Sequence, residues 1–257
     1  MRKLLAIWLG KILTIVGKTV GKKSSSSPGA YALKICPDLV KGLEKCVSKG
    51  IIVTCGTNGK TTTNNLMASA LEAKGYKVIC NKLGANMLSG IATTVLQEMS
   101  IFGKLKADYA CLEIDEAYTP IVFDYVKPDV MVITNLFRDQ LDRYGEIDIT
   151  SDIIKRAIKK VPNLKLVLNG DDPLCVQFGR EENVKAYYYG ISEKVLPQLD
   201  DTKEGRFCPV CGEEQDVSVN AVGSVLYTVS IITASLAITG ARNADLNGRR
   251  LILMPQM

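Results

Sequence analysis

The chain has 257 residues, 47% hydrophobic and 23% charged, which is enough apolar content for the core of one large domain or two small ones. Its net charge of +5 comes from basic residues spread along the sequence without aromatic interleaving, which argues against a nucleic-acid surface and suits a small anionic substrate. It has no histidine, so His general bases, catalytic triads and His metal ligands are excluded within these residues. The eight cysteines are scattered apart from one close pair, the usage of free thiols in a reducing cytoplasm.

Met1 to Lys18 reads as an amphipathic helix, with Leu5, Trp8, Leu9, Ile12, Leu13, Ile15 and Val16 at helical spacing and Lys11 interrupting any signal-peptide core. Such a helix either packs on the domain or lies on a membrane surface. Lys22 to Gly29, with four consecutive serines, reads as a solvated linker.

From Gly50 to about Arg180, apolar runs alternate with helical segments, the pattern of an α/β fold with a parallel sheet covered on both faces. Strands are expected at Ile51–Cys55, Lys77–Cys80, Tyr109–Ile114, Val130–Asn135 and Leu164–Asn169, and helices at Thr61–Lys74, Gly90–Met99 and Asp152–Lys160.

The first expected strand runs into Gly56-Thr57-Asn58-Gly59-Lys60-Thr61-Thr62. Glycines there let backbone N–H groups approach phosphate oxygens, and the next helix begins with unpaired N–H groups at its positive end. Lys60 can reach the outer phosphates of ATP, and the hydroxyl of Thr61 or Thr62 can ligate Mg2+. The longer phosphate-loop pattern would place glycine at position 54, where this chain has Thr54, so only the shorter part matches.

Ligands of such sheets sit at the carboxyl ends of strands, where three clusters fall. In Glu113-Ile114-Asp115-Glu116, Glu113 closes its strand and is the first choice as a Mg2+ ligand, and rim salt bridging is the plainer reading for Asp115 and Glu116. In Thr134 to Arg143, Asn135 ends a strand, and Asp139 either contacts ligand or caps a helix. Asn169-Gly170-Asp171-Asp172-Pro173 is most simply a turn.

G-T-N-G-K-T-T, a strand-end Glu113, T-N-L-F-R-D-Q-L-D and N-G-D-D-P in this order resemble the central domain of the Mur ligase family. Within that family, the N-terminal helix and linker, Asn81 to Gly90 and Phe207 to Gly212 resemble the ligase-like subunits of lipid II isoglutaminyl synthase. The resemblance covers about residues 1–215. It implies a 1–48 helix and linker, a 49–206 ATP-binding domain, a 207–215 half zinc ribbon and an anomalous 216–257 tail. It also implies ATP-dependent activation of the D-glutamate α-carboxylate of lipid II at the cytoplasmic membrane face. Ammonia from a GatD-type glutaminase partner would then yield D-isoglutamine. Lys60 and Glu113 carry over to this chain; Gln140 stands where many members keep a metal-binding histidine, so that contact is weaker or absent here.

Cys208-Pro209-Val210-Cys211 has zinc-knuckle spacing but supplies only two of four Zn2+ ligands, and a redox role would need a flanking strand and helix. Val217 to Ala241 carries no charge and is long enough to span a bilayer, which would make the chain a membrane-anchored ATP-binding module. The preferred expectation is a frameshift from about residue 216, because a shifted phase can encode a second cysteine pair near Gly240 to Ala244. That expectation carries impaired amidation with it. A P-loop kinase or GTPase is disfavoured, since no Walker-B aspartate series and no N-K-x-D motif occurs.

Overall fold

The computed structural model describes residues 1–19, 26–136, 146–181 and 184–190. Six strands form one parallel sheet in the order β2-β3-β1-β4-β5-β6. They are β1 (Val47–Cys55), β2 (Val78–Cys80), β3 (Ala107–Glu113), β4 (Val130–Ile133), β5 (Lys165–Asn169) and β6 (Lys185–Tyr189). The helices are α1 (Arg2–Thr19), α2 (Ser27–Ile35), α3 (Lys60–Ala73), α4 (Leu88–Glu98), α5 (Thr119–Tyr125), α6 (Glu146–Lys159) and the single turn α7 (Pro173–Val176).

Alternation along the central strands divides the core into two layers. Ile52, Tyr109, Cys111, Val130 and Val132 face α3 through Met67, Ala68 and Leu71. Ile51, Val53, Ala110, Leu112, Met131 and Ile133 face the opposite way, against Ile91, Val95 and Leu96 of α4, Val122 and Phe123 of α5 and Ile154 of α6. Strands buried on both sides read as continuous apolar runs, which is why this sheet is legible from sequence.

Two expectations change. The segment read as a linker to Gly29 is helical from Ser27, and Pro28 and Gly29 are buried. Proline is tolerated in a first helical turn, and the bare Cα of Gly29 lets α2 press on α4: a Cβ there would stand 2.0 Å from the carbonyl oxygen of Ser89. The sheet also gains β6, whose Lys-Ala-Tyr-Tyr-Tyr pairs in register with β5. Helix α1 packs on α2 and α4 with Ala6 and Ile7 buried, and Trp8 Nε1 donates to the Ile101 carbonyl at 2.9 Å.

Among the described residues, no helix is long and apolar enough to cross a membrane. Asp139, Gln140, the segment 207–215 read as a half zinc ribbon with Cys208 and Cys211, and the segment 216–257 read as an anomalous tail lie outside the described residues.

Candidate functional site

The phosphate loop leaves β1 at Cys55 and enters α3 at Lys60, between the carboxyl ends of β3 and β4. Two glycines make the turn. Gly56 has φ 126°, and a Cβ on it would lie 2.3 Å from Thr134 Oγ1. Gly59 has φ 78° and caps α3, a left-handed position that favours glycine.

The loop is held from β4. Asn135 accepts from the Thr57 N–H through its carbonyl at 2.8 Å and from the Asn58 N–H through Oδ1 at 2.9 Å. Its Nδ2 donates to the Asn58 carbonyl at 3.1 Å, and the Thr134 hydroxyl donates to the same carbonyl at 2.8 Å. The Thr57 and Asn58 N–H groups, expected to approach phosphate, are hydrogen-bonded to Asn135 in this structure. The N–H groups of the first turn of α3, Lys60 to Thr62, have no partner within the helix, the arrangement that suits an anion.

Lys60 Nζ donates to the carbonyls of Gly56 at 2.5 Å and Thr57 at 3.1 Å, and pairs with Glu116 Oε1 at 3.0 Å. Glu116, read as a rim residue, therefore belongs to the loop's own network.

Glu113 closes β3 and is buried. Asn81 brackets its backbone, accepting from the Glu113 N–H at 2.8 Å and donating to the Glu113 carbonyl at 2.8 Å. Asn86 Nδ2 reaches Glu113 Oε1 at 3.5 Å, while Oε2 is buried without a hydrogen-bond partner among the described residues. Thr54 lies opposite Glu113 in register, and its hydroxyl is likewise buried and unpaired.

Thr61 stands on the same spot. A Cβ on Gly84 would be 3.3 Å from Thr61 Oγ1 and 3.7 Å from Glu113 Oε2, so the two oxygens converge over a glycine with φ 68°. Thr62 is exposed, which separates the two threonines that sequence leaves equivalent. An uncompensated buried carboxylate beside a hydroxyl is a hard-oxygen pair suited to Mg2+. Among the described residues, no cluster of three or more His, Cys, Asp or Glu side chains is placed to hold a metal.

Asn169 and Asp172, in the stretch read as a turn, brace the site. Asn169 Nδ2 donates to the Thr134 carbonyl at 3.1 Å, and Asp172 Oδ2 accepts from the Leu136 N–H at 2.9 Å while Oδ1 caps α7. Burial raises the Asp172 carboxyl above its ordinary range despite these donors. Asn81 opens the stretch Asn81 to Gly90 that carries part of the family resemblance, but no role is read for it there; its place one residue past β2, where strand ends line the ligand side, is the sign of one.

The six described cysteines are free thiols, as their scatter suggests. Burial pushes the Cys80 thiol up to about 12 and raises those of Cys55, Cys111 and Cys175 well above the ordinary thiol range, so these four are protonated at neutral pH and supply no nucleophile.

A parallel sheet with a glycine loop at its switch point, a loop lysine and a strand-end carboxylate defines a phosphate-loop nucleotide-binding protein. Residues 53–239 match the Mur ligase middle domain, and the chain belongs to the Mur ligase family. That match runs past residue 215, where the motif resemblance stops, into the segment expected to be anomalous.

The chain is 37% identical over 212 residues to the lipid II isoglutaminyl synthase (glutamine-hydrolyzing) subunit MurT of Staphylococcus aureus, covering 82% of this chain and 47% of that protein. It is 39% identical over 189 residues to the subunit of the same name in Streptococcus pneumoniae, covering 74% and 41%. It thus spans less than half the length of these relatives. MurF from Acinetobacter baumannii has the same fold, with a TM-score of 0.55 at 16% identity over 82% of this chain and 46% of that structure.

Proposed function

We propose that this chain is the nucleotide-binding part of an ATP-dependent carbon–nitrogen ligase acting on lipid II. The observation that carries the nucleotide reading is the convergence of Lys60, Thr61 and Glu113 around the glycine loop. The substrate reading draws on identity of 37% and 39% to subunits named for lipid II isoglutaminyl synthesis.

A carboxylate is a poor electrophile, and the proposed chemistry makes it a good one. An oxygen of the D-glutamate α-carboxylate attacks the γ-phosphorus of ATP and ADP leaves. Ammonia, released from glutamine by a GatD-type glutaminase, then attacks the carbonyl carbon and expels phosphate. Lys60 would hold the outer phosphates, and the first-turn N–H groups of α3 would hold the remaining charge. Thr61 and Glu113 would hold Mg2+, which when bound neutralises phosphate charge. Thr134 and Asn135 keep the loop in shape for this. Zinc at Cys208 and Cys211 would need two further ligands and is no part of the reading.

The test supplies the protein with lipid II, ATP, glutamine and a GatD-type glutaminase and follows conversion of the α-carboxyl to a carboxamide by mass spectrometry. ATP-dependent conversion that Lys60→Ala abolishes supports the proposal. ADP formation at the same rate without lipid II would overturn it.

A further inference from the structure

Helix α1 presents two apolar faces. Ala6 and Ile7 are fully buried, Thr14 is nearly so, and Gly10 meets Leu96 of α4 so closely that a Cβ would fall 2.6 Å from it. A helix that only packed on its own domain would be polar on the other side. Instead Leu5, Trp8, Ile12, Ile15 and Val16 form a second stripe at helical spacing, 48% to 63% exposed. The turn between α4 and β3 extends it. Phe102 is 74% and Ile101 56% exposed, and the Trp8 indole bonded to the Ile101 carbonyl joins the two parts. Scattered exposed apolar residues are ordinary, but a continuous stripe of large ones marks an interaction surface.

The charges on these two segments themselves are of one sign, the exposed Glu98 at the end of α4 lying just before the turn. Helix α1 carries Arg2, Lys3, Lys11 and Lys18 and no acidic residue. The stretch 100–106 adds Lys104 and Lys106, both exposed, and no acid either. A second copy of this chain or another stretch of it could cover the apolar stripe, but neither would call for cations alone along both segments. An anionic lipid surface calls for both, and an indole with its N–H engaged and its ring half exposed suits the headgroup boundary.

We propose that α1 and the turn at 100–104 dock the chain on an anionic bilayer, the helix lying in the plane of the interface with its outer stripe among the acyl chains. The surface stands on α1 and its neighbouring turn and does not depend on the ligase reading.

Trp8 is the sole tryptophan of the chain, so its fluorescence reports this patch directly. The chain is titrated with phosphatidylglycerol/phosphatidylcholine vesicles and with pure phosphatidylcholine vesicles, while emission maximum and iodide quenching are followed. The expected result is a blue shift and loss of quenching with the anionic vesicles, at lipid concentrations where neutral vesicles have little effect. I12E/I15E, at exposed positions and checked for fold by circular dichroism, should bind about tenfold or more weakly. K11Q/K104Q/K106Q leaves the stripe intact and should also lose about tenfold or more on anionic vesicles. Any of three results would overturn the proposal: no shift with either vesicle, equal binding to both, or a Trp8 already shielded without lipid, whether in a monomer or a self-associated species.

Discussion

The Lys60 ammonium lies 3.0 Å from the Glu116 carboxylate, and both side chains are largely shielded, at 14% and 16% exposure. The two residues are 56 positions apart in sequence, and the pair bridges the loop after β1 to the segment after β3. Phosphate oxygens would compete with Glu116 for the same ammonium. Glu116→Gln is therefore expected to tighten Mg-ATP binding about two- to fivefold, the worth of a partly shielded ion pair. Calorimetric titration of both proteins checks this, and weaker binding by the variant would mean that Glu116 itself serves the ligand.

Glu113 sets binding against stability. Its Oε2 is buried without a partner among the described residues, an arrangement that costs about 1–3 kcal/mol. Glu113→Gln keeps the shape and removes the charge, so the nucleotide-free protein should be as stable or more stable by about 1 kcal/mol, while Mg2+ dependence of ATP binding is lost. Urea denaturation and binding with and without Mg2+ read the two halves. A variant that is less stable and still responds to Mg2+ would show the carboxylate to be structural only.

Gly56 is the tightest point of the loop. Gly56→Ala must place a methyl 2.3 Å from Thr134 Oγ1 and 2.8 Å from the Asn135 carbonyl oxygen, at φ 126°. A loss of about 2 kcal/mol or more is expected. Thermal unfolding checks it, and an unchanged midpoint would show that the loop shifts freely.

Asp172 gives a pH dependence with a definite sign. Burial raises its folded carboxyl value, so the native chain holds this proton to higher pH than the unfolded chain does. Stability from this group is fullest below the unfolded value near 4 and declines as pH rises through the folded one. The difference in unfolding free energy, wild type minus Asp172→Asn, should therefore fall with rising pH. Denaturation curves across that range measure it, and a difference that grew with pH would contradict the assignment.

Much of this was legible in the sequence. The five strands expected from apolar runs all exist, and the loop at 56–62 sits at its strand end because glycines and a buried strand leave few other outcomes. Other features came from tertiary contact. Ser27-Pro28-Gly29 has linker composition, yet packing against α4 makes it a helix. The strand β6 lacks a continuous apolar run, since pairing on one side of β5 leaves Tyr187 and Tyr188 half-buried. No local pattern joins Lys60 to Glu116, Asn135 to Asn58 or Asn81 to Glu113, because each pair meets only when parallel strands bring their carboxyl ends together.

Equilibrium binding of Mg-ATP to the chain and to Lys60→Ala tests the phosphate grip most directly. One-to-one binding that weakens about tenfold to hundredfold in the variant is the predicted result, from the loss of a charged hydrogen bond to phosphate. Equal affinity in the two proteins would contradict it.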